Sequence, residues 1–199
     1  MLNTHLFNPK KIAEELYNPE NIGVLSINNF IDERVRQNLL EEISRANYRK
    51  AQSQYGNANQ EFFYFEPDKE DRIFPITSLL KLSYLIPYNK LAQKANFQKT
   101  KTEVFVQKYR KSSLGITPHK DNLAYRNLIS IFILQGEGDF YVCSDREKTN
   151  PVKIDSPQGS VILMRAPRNI GEKNLRPMHY VENIRRERHV ITLREKILS

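Results

Sequence analysis

The sequence predicts a mainly β protein of the α+β class, in which antiparallel strands form a barrel or jelly roll with N-terminal helices packed outside. From Glu103 onward, short runs of β-branched and aromatic residues recur, with turn-forming residues between most of them. This pattern is typical of antiparallel sheets that close on themselves. Before that point, apolar residues repeat at helical spacing in two stretches. Together these observations predict helices first and a closed β structure after them.

Composition indicates one domain spanning 1–199, because a chain of 199 residues can bury a substantial core. No run approaches the roughly 18 apolar residues of a membrane span, and the N-terminus lacks the pattern of a secretory signal. The single cysteine, Cys143, excludes an internal disulfide. We therefore expect a cytoplasmic protein without a membrane partner. The formal charge of +8 favours anionic partners such as nucleic acid, phosphorylated metabolites or carboxylates.

The N-terminal third is predicted to contain a short strand, "NIGVLSINNF", and two helices. Asp32 is placed as the N-cap of the first helix. Four apolar residues after it share one helical face: Val35, Leu39, Leu40 and Ile43. The second helix, "ITSLLKLSYLI", should end before Pro87, because proline lacks the N–H donor that a helix interior requires.

The second half is predicted to consist of short strands. The segments are "EVFVQKY", "LISIFIL", "GDFYVC", "PVKID", "GSVILM", "MHYVE" and "RHVITLR". Between the two halves lies "YGNANQEFFYFEPDKED", an aromatic-rich segment that we expect to form a hairpin or a loop.

A metal site is predicted around the segment "ITPHKDN". Of the four histidines in the chain, His119 stands two positions before Asp121, so both side chains can reach one ion. Two histidines and one carboxylate form the facial triad that holds non-haem Fe(II) and leaves coordination positions open. His179, at the start of a later strand, is the third candidate ligand. The alternatives are a charged surface turn at His119 and a hydrogen-bonded structural histidine at His179.

Two arginines of the last strand are predicted to bind an anion. Arg188 and Arg194 alternate with Val190 and Thr192 on one face, whereas His189 lies on the other. If the first face points inward, a buried guanidinium requires a carboxylate or phosphate partner, and without one it costs several kcal/mol. Because the adjacent strands offer no obvious carboxylate, an anionic ligand is predicted. The alternative is a solvent-facing basic patch.

These segments resemble the 2-oxoglutarate- and Fe(II)-dependent oxygenases, and within them the AlkB-like branch. The resemblance covers about half the chain, from "EVFVQKYRKSSLGITPHKDN" through "GSVILMRAP" to "MHYVENIRRERHVITLR". It implies a double-stranded β-helix, with residues 1–100 supplying helices and a substrate lid and residues 101–199 forming the jelly-roll core.

By the same resemblance, the site residues take roles in binding Fe(II), with 2-oxoglutarate and O2 as cosubstrates. The implied iron ligands are His119, Asp121 and His179. Arg188 would bind the distal carboxylate of 2-oxoglutarate, with Tyr109 and Arg194 also near the cosubstrate. Gln107 and Val190 stand where members of the AlkB-like branch carry asparagine, and the short spacing from His179 to Arg188 is closer to that of prolyl hydroxylases.

The resemblance implies a dioxygenase that hydroxylates or oxidatively demethylates an organic substrate. Alkylated nucleic acid is one substrate class, which the basic charge and the arginine-flanked last strand favour. A small metabolite or a protein side chain is the other, which the short His179–Arg188 spacing and the lack of tryptophan favour. In the first case Tyr55–Phe65 could supply aromatic rings that stack on a flipped base; otherwise the segment packs on the core as a hairpin. A non-catalytic jelly-roll binding protein and, more remotely, a zinc hydrolase are the other classes.

Overall fold

The computed structural model describes residues 2–168 and 175–198. Its helices are α1 (Pro9–Tyr17), α2 (Glu33–Ser44) and α3 (Pro75–Ala95), with 3₁₀ turns at Thr4–Leu6 and Pro67–Lys69. Its strands are β1 (Val24–Ile27), β2 (Arg49–Lys50), β3 (Gln54–Tyr55), β4 (Ala58–Glu61), β5 (Phe63–Phe65), β6 (Thr100–Tyr109), β7 (Gly115–His119), β8 (Tyr125–Cys143), β9 (Val152–Ile154), β10 (Val161–Arg165) and β11 (Met178–Ile197).

The strands pair antiparallel throughout and form two layers that share β8 and β11. The larger layer has the order β1-β10-β8-β11-β6-β5-β2, and the smaller one contains β3, β4, β7 and β9 beside the same two long strands. This is the predicted jelly roll. Because β8 and β11 each cross from one layer to the other, the layers enclose an apolar interior that includes Ile129, Phe140 and Val190.

The two long strands correct the prediction of separate short strands. "LISIFIL" and "GDFYVC" both belong to β8, and "MHYVE" and "RHVITLR" both belong to β11. The intervening turn-forming residues bend the strands instead of ending them: Gly136 has φ +90° and Asn183 has φ +53°. A Cβ at Gly136 would collide with the backbone of Glu187. The β8–β11 register shifts between Glu182 and His189, which is the signature of β-bulges.

The helices cover the outer face of the larger sheet, as predicted. Asp32 caps α2 by accepting hydrogen bonds from the backbone N–H groups of Arg34 and Val35. The buried carboxylate of Glu42, on α2, caps the start of α3 by accepting hydrogen bonds from the backbone N–H groups of Ile76 and Thr77. None of the helices in the described ranges is long and apolar enough to cross a membrane.

The predicted helix end before Pro87 is wrong, because α3 continues through this proline to Ala95. An interior proline costs a helix about 3 kcal/mol through its missing N–H and its ring clash. Packing on both sides of Pro87 offsets this cost: Tyr84 and Leu91 are almost fully buried in the same core cluster. The helix ends instead at Asn96, which adopts the left-handed conformation that closes many helices.

Candidate metal and cosubstrate site

The structure brings the three predicted metal ligands together at the point where β7 meets β11. His119 ends β7 and His179 is the second residue of β11, and the two are directly opposite each other in the antiparallel ladder. Asp121 follows His119 closely enough for its Oδ2 to lie 3.4 Å from Nε2 of His179. One ligand atom from each of the three residues lies within 4.8 Å of the other two, so a single ion could contact all three.

Backbone hydrogen bonds orient both imidazoles for metal binding. Nδ1 of His119 lies 2.9 Å from the carbonyl oxygen of Thr117, and Nδ1 of His179 lies 3.3 Å from that of Pro177. Since a carbonyl can only accept, each Nδ1 carries the proton. The Nε2 lone pair of each ring is therefore free for a metal, in the arrangement usual for histidine ligands.

The protonation states of the three side chains also suit a metal. Burial, reinforced by the neighbouring His179, lowers the pKa of His119 to about 3. Burial likewise lowers the pKa of His179. Burial raises the pKa of Asp121, but nearby positive charge, that of Arg194 foremost, holds it below its usual value. At neutral pH the site thus offers two neutral imidazoles and one carboxylate, the forms that bind a cation without losing a proton.

Arg194 has a protein partner, contrary to the expectation that both arginines would need an anionic ligand. Its Nη2 lies 3.3 Å from Oδ1 of Asp121. The guanidinium also packs on the rings of Phe105 and Tyr125, at 4.9 and 5.1 Å from their centroids. Sequence reasoning missed this pair because Asp121 follows β7 and reaches Arg194 only across the interior. Arg194 therefore holds the carboxylate of one candidate ligand.

Arg188 keeps its predicted need for a partner. It is only 2% exposed, and within residues 2–168 and 175–198 its guanidinium forms no hydrogen bond or ion pair. Gly138 lies beside it: a Cβ there would make ordinary contact, at 3.4 Å, with Cδ of Arg188 and would crowd Cδ1 of Ile184 at 2.7 Å. Tyr109 pairs with Arg188 in the antiparallel ladder between β6 and β11. Burial raises the pKa of its hydroxyl to about 12, so the phenol stays protonated.

One cavity joins the metal ligands to the arginines. Its walls include all six predicted site residues and several that the sequence analysis did not assign to the site: Ile116, Ile131, Phe140 and Val181. Its volume is about 40 Å³. Gln107 and Thr192 also line the cavity. The hydroxyl of Thr192 donates a hydrogen bond to Oε1 of Gln107 at 3.1 Å.

Phe140 illustrates what sequence reasoning could not find. Its ring stacks on His179 with 5.5 Å between centroids and 17° between planes. Alternation along β8 would identify Ile131 as an interior residue, because Ile131 pairs with Thr192 in the ladder. The bend at Gly136 breaks that alternation before Phe140, so no local signal assigns the ring to the site.

The aromatic segment between the halves forms the hairpin β3–β4 and the strand β5. Phe62 packs on Tyr109 with 5.3 Å between ring centroids, so part of the segment belongs to the core. Tyr55, at the hairpin, is 61% exposed, and its hydroxyl lies 3.5 Å from Nδ2 of Asn122, next to a candidate metal ligand. The segment thus reaches the rim of the site; its action as a lid stays a prediction.

The fold is that of the 2-oxoglutarate- and Fe(II)-dependent oxygenases, which confirms the predicted double-stranded β-helix. No family model and no curated protein matches the chain. A prolyl hydroxylase from Trichoplax adhaerens, in complex with a hypoxia inducible factor peptide, has TM-score 0.74 and 18% identity and covers 98% of this chain and 94% of its own. A Pseudomonas putida prolyl-4-hydroxylase has TM-score 0.68 and 9% identity, and the alignment covers 96% of this chain and 100% of that one. A Burkholderia pseudomallei oxidoreductase of the 2OG-Fe(II) oxygenase family has TM-score 0.63 and 13% identity, and the alignment covers 95% of this chain and 90% of that one.

Proposed function

We propose that this protein is a 2-oxoglutarate- and Fe(II)-dependent dioxygenase that hydroxylates an organic substrate. The observation that carries the proposal is Arg188, a buried guanidinium without a protein partner in the described ranges, on the wall of the cavity that also contains three converging metal ligands. A buried unpaired charge costs several kcal/mol. Such a charge beside a cluster of metal ligands is explained if an anion binds both the metal and the guanidinium and so neutralises the guanidinium.

The donor set fits Fe(II). His119, Asp121 and His179 would hold the ion, leaving coordination positions for the cosubstrate and oxygen. When bound, Fe(II), 2-oxoglutarate and O2 supply oxidative decarboxylation of the cosubstrate coupled to hydroxylation of a C–H bond. Zinc could also bind two histidines and a carboxylate, but a zinc hydrolase would leave Arg188 without a role.

The remaining polar residues of the cavity would position the cosubstrate. The planar fork of Arg188 would bind its distal carboxylate in bidentate fashion, and the protonated hydroxyl of Tyr109 would donate to the same group. Arg194 would keep Asp121 ionised and oriented through their ion pair. Gln107 would have less freedom to contact the cosubstrate, because Thr192 already donates to its side-chain oxygen.

A protein side chain is the substrate class that we favour. The similarity to two prolyl hydroxylases extends over nearly the full length of both partners, although at 18% and 9% identity. A groove of about 750 Å³ runs along loop 111–114 and β11 and shares Ile116 and Val181 with the cavity, so an extended peptide could lie beside the site. The AlkB-like branch and alkylated nucleic acid form the alternative, which the basic charge and the arginine-flanked last strand favour.

The test of the cofactors is anaerobic titration calorimetry with Fe(II) and then 2-oxoglutarate. We expect the iron-loaded protein to bind 2-oxoglutarate, Arg188→Met to weaken that step about 30-fold or more while iron binding persists, and His119→Ala to lose iron binding. Arg186→Met, an exposed arginine two residues away, is the matched control and should bind both ligands normally. Iron binding without 2-oxoglutarate binding would refute the proposal and favour a non-catalytic binding protein.

The substrate is tested with a panel. Prolyl-containing peptides and N-alkylated single-stranded oligonucleotides are each added to the iron-loaded enzyme, and succinate formation and substrate mass are measured. A gain of one oxygen on a peptide supports the favoured class. Loss of an alkyl group from an oligonucleotide, with binding that weakens steeply as salt rises, would replace it with the AlkB-like alternative.

A further inference from the structure

Asp121 differs from the other two candidate metal ligands in lying outside the sheet. His119 and His179 pair with each other in the ladder between β7 and β11, and this strand pairing holds their backbones. Asp121 lies in the loop 120–124, between β7 and β8. Its side chain contacts His179 and Arg194, but these contacts do not fix its backbone. The distance between the carboxylate and the two imidazoles therefore depends on what holds the loop.

Arg176 makes a direct contact with the backbone of Asp121. Its Nη1 donates a hydrogen bond to the carbonyl oxygen of Asp121 at 2.6 Å. Hydrogen bonds from a charged donor are short and roughly twice as strong as those between neutral groups. The residue after Arg176 holds a second ligand, because the carbonyl oxygen of Pro177 accepts a hydrogen bond from Nδ1 of His179 at 3.3 Å. The short segment that leads into β11 thus contacts both Asp121 and His179.

This segment is itself anchored to the core by Arg165, the last residue of β10. Arg165 is buried, and its Nε donates to the carbonyl oxygen of Leu175 at 2.6 Å. Its Nη1 donates to two carbonyl oxygens at the end of α1, those of Leu16 and Asn18, at 3.2 and 3.0 Å. Because Leu175 immediately precedes Arg176, the guanidinium of Arg176 extends from a backbone that is held in place.

We propose that Arg176 is a positioning residue for the candidate metal site and holds Asp121 at the distance from His179 at which both can bind one ion. This inference rests on the proposed function only in requiring that the three ligands bind a divalent metal. Arg176 does not line the cavity that contains the metal ligands, so it acts through Asp121. Contacts that orient metal ligands typically change metal affinity about 10–100-fold when they are removed.

The sign of the effect separates positioning from the effect of charge. Arg176 is a cation near a site for a cation, so by Coulomb's law the loss of its charge alone should strengthen metal binding. Positioning predicts weaker binding, because the loop with Asp121 would lose its contact with the segment that leads into β11. The two explanations therefore predict opposite changes in the same measured affinity.

The experiment is anaerobic titration calorimetry with Fe(II) on wild type, Arg176→Met and Arg176→Lys. Arg176→Met should weaken Fe(II) binding about 10–100-fold. Arg176→Lys should bind Fe(II) more tightly than Arg176→Met, because a single terminal nitrogen makes the bond to Asp121 and an ammonium group can replace it. Charge alone predicts the reverse order, since lysine keeps the charge. An Arg176→Met protein that binds Fe(II) as tightly as wild type, or a lysine variant that binds no better than the methionine variant, overturns the proposal.

Lys120→Met is the matched control for charge. Lys120 stands between His119 and Asp121 in sequence, and its side chain forms no hydrogen bond or ion pair within the described parts of the chain. Its replacement removes a positive charge near the site without removing a contact to the backbone of a ligand. Lys120→Met should therefore bind Fe(II) at least as tightly as wild type. If it loses as much affinity as Arg176→Met, positioning by Arg176 is not the cause.

Urea unfolding of each metal-free variant controls for folding. If Arg176→Met does not fold, Arg176→Lys is compared with wild type; it keeps the charge, so weaker Fe(II) binding supports positioning and equal binding overturns it. The metal readout also separates this inference from the proposed function. A wild type that binds Fe(II) but not 2-oxoglutarate refutes the proposed function alone, whereas equal Fe(II) binding by wild type and Arg176→Met refutes this inference alone. A wild type that binds no Fe(II) refutes both.

Discussion

Replacing Arg188 with methionine should stabilise the metal-free protein while destroying its affinity for 2-oxoglutarate. The side chain is 2% exposed, and no carboxylate among the described residues lies within ion-pair distance. Burial lowers the pKa of its guanidinium, and the neighbouring Tyr109 and Asp139 offset this effect only in part. Methionine has a similar length, no charge and enough flexibility to fill the same space beside Gly138.

The expected magnitude follows from the cost of the charge. Exchanging buried ionic groups for apolar ones of similar volume raises the unfolding free energy by about 1–4 kcal/mol. Replacing an arginine without a partner should raise it by at least as much. For a chain of this size, 1 kcal/mol moves the melting temperature by about 2–4 °C. We therefore expect Arg188→Met to melt about 5 °C higher than wild type. The same change should weaken 2-oxoglutarate binding by about 2–5 kcal/mol.

The assay is urea and thermal unfolding of both proteins after metal removal with a chelator, followed by calorimetry with Fe(II) and 2-oxoglutarate. Arg186→Met is the control. Arg186 is exposed and pairs with Glu137 at 3.3 Å, so its removal should change the unfolding free energy by less than about 1 kcal/mol. A loss of more than about 1 kcal/mol in Arg188→Met would refute the reasoning, because it would mean that the guanidinium stabilises the fold without a ligand.

Three further predictions concern the ligands, a helix cap and a surface ion network. Saturating Fe(II) under anaerobic conditions should raise the unfolding free energy of wild type by about 2.7 kcal/mol at one hundred times the dissociation constant, and His119→Ala should lose this gain; an undiminished gain would mean that the ion binds elsewhere. Glu42→Ala should cost about 2–3 kcal/mol in chemical denaturation, because the buried carboxylate accepts three bonds at the start of α3; a cost below about 0.5 kcal/mol would contradict its role as the cap. Asp139 pairs with Arg185 and Lys153, which hold its pKa below the usual value. Its stabilising contribution is therefore present above the unfolded pKa and is lost as pH falls from there through the lower folded pKa, so Asp139→Asn should cost about 1 kcal/mol at pH 7 and progressively less as the pH is lowered below about 4; a cost that does not fall with pH would contradict this ion pairing.

Much of the candidate site could be predicted because its signals are local. His119 and Asp121 stand on one short segment, and alternation along one strand was enough to put Arg188 and Arg194 on the same face. The N-cap at Asp32 and the helix after it were also predicted, since capping and helical periodicity operate within a few residues.

Contacts between residues distant in sequence determined the features that these local patterns did not predict. Strand ends were predicted wrongly because the bend at Gly136 looks like a turn in sequence, whereas pairing with β11 carries β8 through it. Helix α3 passes Pro87 because the tertiary contacts of the helix outweigh a local cost. Asp121 and Arg194 meet only across the interior.

The sequence by itself determined the residue types of the candidate site and the shared strand face of Arg188 and Arg194, because both depend on neighbours along the chain. Only the tertiary structure decided which of the two arginines already has a partner. It also left Leu79, Leu82 and Ile86 on an uncovered face of a helix whose other side is core. Pairing and burial depend on which distant elements come together, and the free energy of those contacts overrides local preference wherever the two conflict.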